Sequence, residues 1–128
     1  MRRYIFKITK QNQVINLNEF VEFRRINVVK LFYFPKDTAN FGIMQLKVNN
    51  FNSSQYINNE DTTTALISAP YIPESEIIYS NIHSREYDYV SEETQTVITL
   101  RFTILENHTP VDDAHLGIKP LLVELELS

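Results

Sequence analysis

The sequence predicts an all-β protein, an antiparallel two-sheet β-sandwich of about eight strands with jelly-roll-like or immunoglobulin-like topology. Three observations carry that expectation. Ile, Val and Thr supply 33 of the 128 residues and Ala only 4, a balance that favours extended backbone over helix. Residues 94–105, TQTVITLRFTIL, alternate cleanly, with Thr96, Ile98, Leu100, Phe102 and Ile104 on one side and Val97, Thr99, Arg101, Thr103 and Leu105 on the other. Such a period of two marks a strand with one buried face. Polar turns also separate extended stretches at intervals of roughly ten residues, the spacing of a sandwich. The length suits one body with its own core, so residues 1–128 read as a single β-sandwich domain.

The elements follow in order. Residues 2–9 alternate Tyr4, Phe6 and Ile8 against Ile5, Lys7 and Thr9, a first strand closed by the polar turn 10–13. A short alternation at 14–17 precedes residues 20–34, FVEFRRINVVKLFYF, which contain neither Gly nor Pro. The two face sets of that stretch exchange near Arg24 to Ile26, as two strands joined by a bend or one long strand with a bulge would require. Its second half, 26–34, is apolar on nearly both sides, as in a deeply buried strand. Pro35 ends it, because proline cannot join a ladder. Residues 41–48 form the next strand, with Met44, Leu46 and Val48 inward.

Residues 49–61, NNFNSSQYINNED, are the longest polar stretch and read as a surface loop, with a helical turn near 54–58. Strand character resumes at 62–69, and PYIP at 70–73 suits an edge strand. Short extended pieces are expected at 76–80 and around Tyr87 and Tyr89. A charged turn at 91–93 leads into the 94–105 strand, expected to be central. Residues 106–120 read as a loop, and 119–127 as the final strand, with Leu121, Val123, Leu125 and Leu127 inward and Glu124 and Glu126 outward. That strand is expected to pair with 94–105 as a closing hairpin.

Composition excludes several classes of chemistry. There is no Cys, hence no disulfide framework and no thiolate site. Gly42 and Gly117 are the only glycines, too few and too far apart for a phosphate-cradling loop, so Asn, Asp, Ser and Pro are expected to make the turns. Net charge is −4 with scattered basic residues, a poor footprint for nucleic acid. The basic start is followed by alternation in place of a continuous apolar segment and reads as a strand, and no run is long enough for a membrane span. The expectation is no nucleic acid, no membrane and an intracellular origin.

Few residues invite a catalytic reading. His108, Asp112, Asp113 and His115 share one loop and are of the types that bind Zn²⁺ or act as acid and base, but their spacing matches no ligand motif and reads as turn chemistry. His83, Arg85, Glu86 and Asp88 form a similar polar segment. Glu60 and Asp61 lack the regular oxygen spacing of a Ca²⁺ loop. No serine stands in a nucleophile elbow. Asn52 and Asn107 fit the glycosylation pattern without a secretory signal. The chain is therefore read as non-enzymatic, with no catalytic residue, no cofactor and no metal.

Fifteen residues are Phe or Tyr, more than a core about 10 Å thick accommodates. The surplus points to protein contact, where aromatics are enriched. Phe51, Tyr56, Tyr71, Ile72 and Tyr79 form the expected interaction surface, on the 49–61 loop and the 70–79 region.

The ending, LRFTILENHTPVDDAHLGIKPLLVELEL, resembles the C-terminal hairpin of small jelly-roll-like β-sandwich proteins of virophages, polinton-like viruses and large eukaryotic DNA viruses. What the resemblance implies is a minor capsid or penton-like virion component, assembled inside the host cell through contacts with other copies of itself or with a major capsid protein. A homo-oligomer is expected. The alternative is a glycan- or ligand-binding module using loop Tyr and Asn side chains.

Overall fold

The computed structural model describes residues 1–52, 56–57, 60–61, 65–80 and 87–128, with backbone alone at 56–57, 60–61 and 78–80. The strands are β1 (Arg2–Ile8), β2 (Gln13–Tyr33), β3 (Gly42–Val48), β4 (Tyr56–Ile57), β5 (Glu60–Asp61), β6 (Ile67–Tyr71), β7 (Ile77–Ser80), β8 (Tyr89–Glu106), β9 (Thr109–Pro110) and β10 (Leu121–Leu127). One short helix, α1 (Asp113–Ile118), precedes β10. The protein is thus all-β. Its main sheet is antiparallel, curled, and ordered β1-β10-β2-β8-β3-β6, with β7 also paired to β2 and β9 to β8; β4 and β5 pair with each other.

Two long strands produce the curl. The first part of β2 pairs with β8 (Gln13↔Phe102 to Asn16↔Thr99), and its last part lies between β10 and β7 (Phe32↔Leu122, Phe32↔Ile78). Beyond a break in the ladder between Asn16 and Val21, two bulges let one strand serve both. At the first, the N–H groups of Arg24 and Arg25 both donate to the Ser128 carbonyl, at 2.7 and 2.9 Å. Two residues opposing one is the definition of a bulge, and it exchanges the faces where the sequence pattern shifts. The second lies between Val28 and Lys30 and is marked by the register shift at Glu124/Leu125. Val21, Phe23, Ile26, Val28, Leu31 and Tyr33 all face the core despite their changing parity.

The expected burial on β3 is found, with Met44, Leu46 and Val48 fully enclosed. Proline-containing β6 is an edge, as PYIP implied. Asparagine takes over from glycine at the turns: Asn12, Asn18, Asn49 and Asn107 have positive φ, and neither glycine does. Asn tolerates the left-handed region because its short side chain bonds locally. Gly42 is needed for a different reason, since a Cβ there would overlap the phenol of Tyr71.

One expected pairing is corrected. β10 does not form a hairpin with β8; it lies between β1 (Tyr4↔Leu125, Phe6↔Val123) and β2 (Val123↔Leu31). From Phe102 onward β8 is already bonded to β3, and its earlier part to β2. Residues 106–120 are also more than a loop. Asn107 and His108, both at positive φ, make the two-residue turn between β8 and β9, the conformation type I′ hairpins require. Helix α1 then seats fully buried Leu116 on the core and delivers the chain to the far side. The strand character expected at 62–64 falls outside the described residues, and the helical turn expected at 54–58 is corrected where it is described, because Tyr56–Ile57 is the extended strand β4 paired with β5.

Candidate functional site

The richest polar constellation surrounds Glu106, the last residue of β8. It is only 9 % exposed. One carboxylate oxygen accepts from the Tyr33 hydroxyl at 2.6 Å and the Lys36 N–H at 2.8 Å; the other accepts from the Asp37 N–H at 2.7 Å and the Tyr71 hydroxyl at 3.2 Å. Asn107 donates to the Tyr71 oxygen at 2.9 Å. Four donors occupy the four lone-pair sites of the carboxylate, so this group is a latch that ties the 35–37 turn and β6 to the end of β8. Burial and the neighbouring Glu106 raise both phenols, Tyr71 to about 12 and Tyr33 higher still. Both phenols therefore stay protonated donors at neutral pH.

The His/Asp cluster next door is also absorbed by the fold. Asp112 caps α1, accepting from the His115 N–H at 2.8 Å, and forms an ion pair with Lys36. The Lys36 ammonium, then the His115 N–H, hold its carboxyl below the ordinary range. Asp113 accepts from the Gln11 N–H at 2.8 Å, and His115 Nε2 donates to the Phe34 carbonyl at 2.8 Å. His108 is a turn residue with positive φ. Among the described residues no three His, Asp or Glu side chains converge as a metal site would require.

The expected contact surface divides. Phe51 and Tyr71 are corrected: they are interior, 5 % and 3 % exposed. A bridge from Val48 folds Phe51 back beneath the sheet, where its ring meets Phe23 edge-on at 5.2 Å and Tyr89 at 5.1 Å. Tyr71 turns inward to reach Glu106 and so offers no ring for glycan stacking. Ile72 is exposed, as expected, beside exposed Phe41 at the end of β3 and β6. The side chains of Tyr56 and Tyr79 lie outside the described residues, as do His83, Arg85 and Glu86.

A different surface emerges on the outer face of β1, β10 and β2. Alternation aims Arg3, Ile5 and Lys7, then Leu122, Glu124 and Glu126, away from the core, while the bulges place Lys30 and Phe32 beside them. Ile5, Glu124 and Lys30 form one cross-strand row, and Lys7, Leu122 and Phe32 the next. Between them lies a recess of about 460 Å³ with Ile5 77 % and Leu122 43 % exposed at its margins. Phe34 extends the apolar strip, edge-on to Phe32 at 4.9 Å and beneath the Lys119 ammonium at 5.6 Å. The signal was present in the sequence. Leu122 breaks the Leu/Glu alternation of the last strand, and residues 26–34 are apolar on both faces.

Comparisons of the chain with protein-family models, curated proteins and solved structures give no match.

Proposed function

We propose that the protein is a non-enzymatic structural component that works by association with further copies of itself, through the outer face of β1, β10 and β2. The observation that carries this reading is the apolar recess bounded by Ile5, Phe32 and Leu122. Outward positions of a strand are normally polar, and a contiguous apolar patch rimmed by charge marks a contact site. A second copy is the occupant the rim favours. Glu124 stands in one row with Lys30, and Lys7 lies in the next, so the face is self-complementary in charge, as an isologous contact must be.

Area decides the strength. Three strands of about seven residues cover roughly 23 Å by 14 Å, or about 330 Å², less than half of the roughly 800 Å² a standard interface takes from each partner. Association through this face is therefore weak and reversible. Weak contacts suit an assembly in which many act together, and a minor-capsid-like role is proposed for such a module on that ground. In this proposal the curled sheet works as a two-layer sandwich whose layers share β2 and β8.

Light scattering over a range of concentrations tests it. The mass should rise from one chain toward two between about 10 and 1,000 μM, the range of such small interfaces. Leu122→Glu, an outward substitution that spares the core, should hold the protein at one chain. A single-chain mass throughout, or an oligomer indifferent to Leu122→Glu and Ile5→Glu, would overturn the proposal.

A further inference from the structure

The β2–β8 ladder is interrupted between Asn16 and Val21 and again between Phe23 and Arg25, where it opens on the β8 side. Phe23 pairs with Gln95 and Arg25 with Val90, so residues 91–94 stand opposite Arg24 alone. A recess of about 500 Å³ lies in the gap, with Arg24, Arg25, Glu22, Val90, Ser91 and Thr94 among its walls. The bulge positions both arginines, because their N–H groups are fixed on the Ser128 carbonyl. Each guanidinium is then steadied by a neighbour: Arg24 Nε donates to the Thr94 hydroxyl at 3.3 Å, and Arg25 lies 4.8 Å from the centre of the Tyr87 ring. Neither arginine forms an ion pair among the described residues. Val90 and Tyr87 add apolar surface beside them, 64 % and 40 % exposed.

We infer that this opening binds an acidic segment of a partner protein, with one carboxylate side chain seated on Arg24 and Arg25 and its apolar neighbours on Tyr87 and Val90. Guanidinium matches the planar carboxylate with paired N–H donors, and an arginine beside exposed aromatic surface is the composition of an interface hot spot. The charge around the fork limits the ligand. Glu22 lines the recess, Glu92 and Glu93 are exposed on the unpaired stretch of β8, and the chain carries −4 overall. Each further charge of a polyanion would add repulsion from Glu22, Glu92 and Glu93, whereas a single carboxylate flanked by apolar residues keeps that repulsion least. The site is separate from the face formed by Ile5, Phe32 and Leu122, and its failure would leave that proposal standing.

The test uses a capped hexapeptide with Phe-Glu-Leu at its centre, the same peptide with Gln for Glu, and inorganic phosphate, each titrated against the full chain with backbone amide shifts as readout. The Glu peptide should bind saturably, moving the amides of Arg24, Arg25, Val90 and Thr94, and the Gln peptide should bind at least about tenfold more weakly. Arg24→Gln/Arg25→Gln should lose the same factor, and Arg24→Lys/Arg25→Lys, which keeps charge but removes the fork, should recover only part of it. Leu122→Glu should change nothing. Unchanged thermal unfolding shows that the exposed substitutions leave the fold intact. No saturable binding, equal affinity for the Glu and Gln peptides, phosphate binding as tight as the peptide, or an indifferent double Gln variant would each overturn the inference.

Discussion

Glu106 is a carboxylate drawn out of water, which costs several kcal/mol unless donors replace the lost hydration. Tyr33, Tyr71 and the Lys36 and Asp37 N–H groups are those donors. Glu106→Gln keeps the shape but turns one acceptor into a donor that faces two other donors, and should cost about 2–3 kcal/mol. A urea midpoint equal to that of the natural chain would count against the latch. The phenols give the same site a pH signature. Tyr71 holds its proton to about 12 when folded, against 10 for the free side chain. A raised folded value means that this stability is complete below pH 10 and drains away as pH climbs toward 12. Urea midpoints should therefore be flat at neutral pH and fall above 10, less steeply in Tyr71→Phe; a steeper fall in that variant would refute the assignment. None of this was legible beforehand. The six groups come from positions 33, 36, 37, 71, 106 and 107, and a sequence pattern shows faces, not which distant residues meet.

At the scale of the element, β10 shows what alternation can and cannot reveal. Its inward set was readable from the period of two, and Leu121, Val123, Leu125 and Leu127 are buried as expected. Its neighbours were not, because periodicity says which side of a strand is apolar and nothing about which strand lies alongside. The same limit hid Phe51, which is polar in its sequence surroundings yet lies under Phe23 and Tyr89. The exchange of faces near Arg24 was legible, since a bulge must leave a break in parity. A pair of substitutions checks the facing of β10 directly. Leu125→Ala empties a site with no exposure and should cost about 2–5 kcal/mol, whereas Leu122→Ala, three residues earlier on the outer face, should change chemical stability by less than about 1 kcal/mol. Equal losses at the two positions would mean that the register of β10 is wrong.

For the whole molecule, the decisive feature is that the first and last strands are partners, with Arg2 opposite Leu127 and Ile8 opposite Leu121. Among the described residues β1 has no other ladder, and the second half of β2 depends on β10 along one side. The sheet therefore cannot close until both ends are present, and entropy must be spent on that long loop before the contacts repay it. A chain cut after Pro120 should lose far more than the eight residues removed. Phe6, Ile8, Val28 and Leu31 would each lose apolar cover, and β1 and β2 would present bare edges that invite aggregation. Circular dichroism of the 1–120 fragment should show no cooperative thermal transition, and supplying residues 119–128 as a separate peptide should restore one. A fragment that melts cooperatively by itself would show that β10 is an accessory to the core. It would also detach the outer face, and with it the association surface at Leu122, from the stability of the fold.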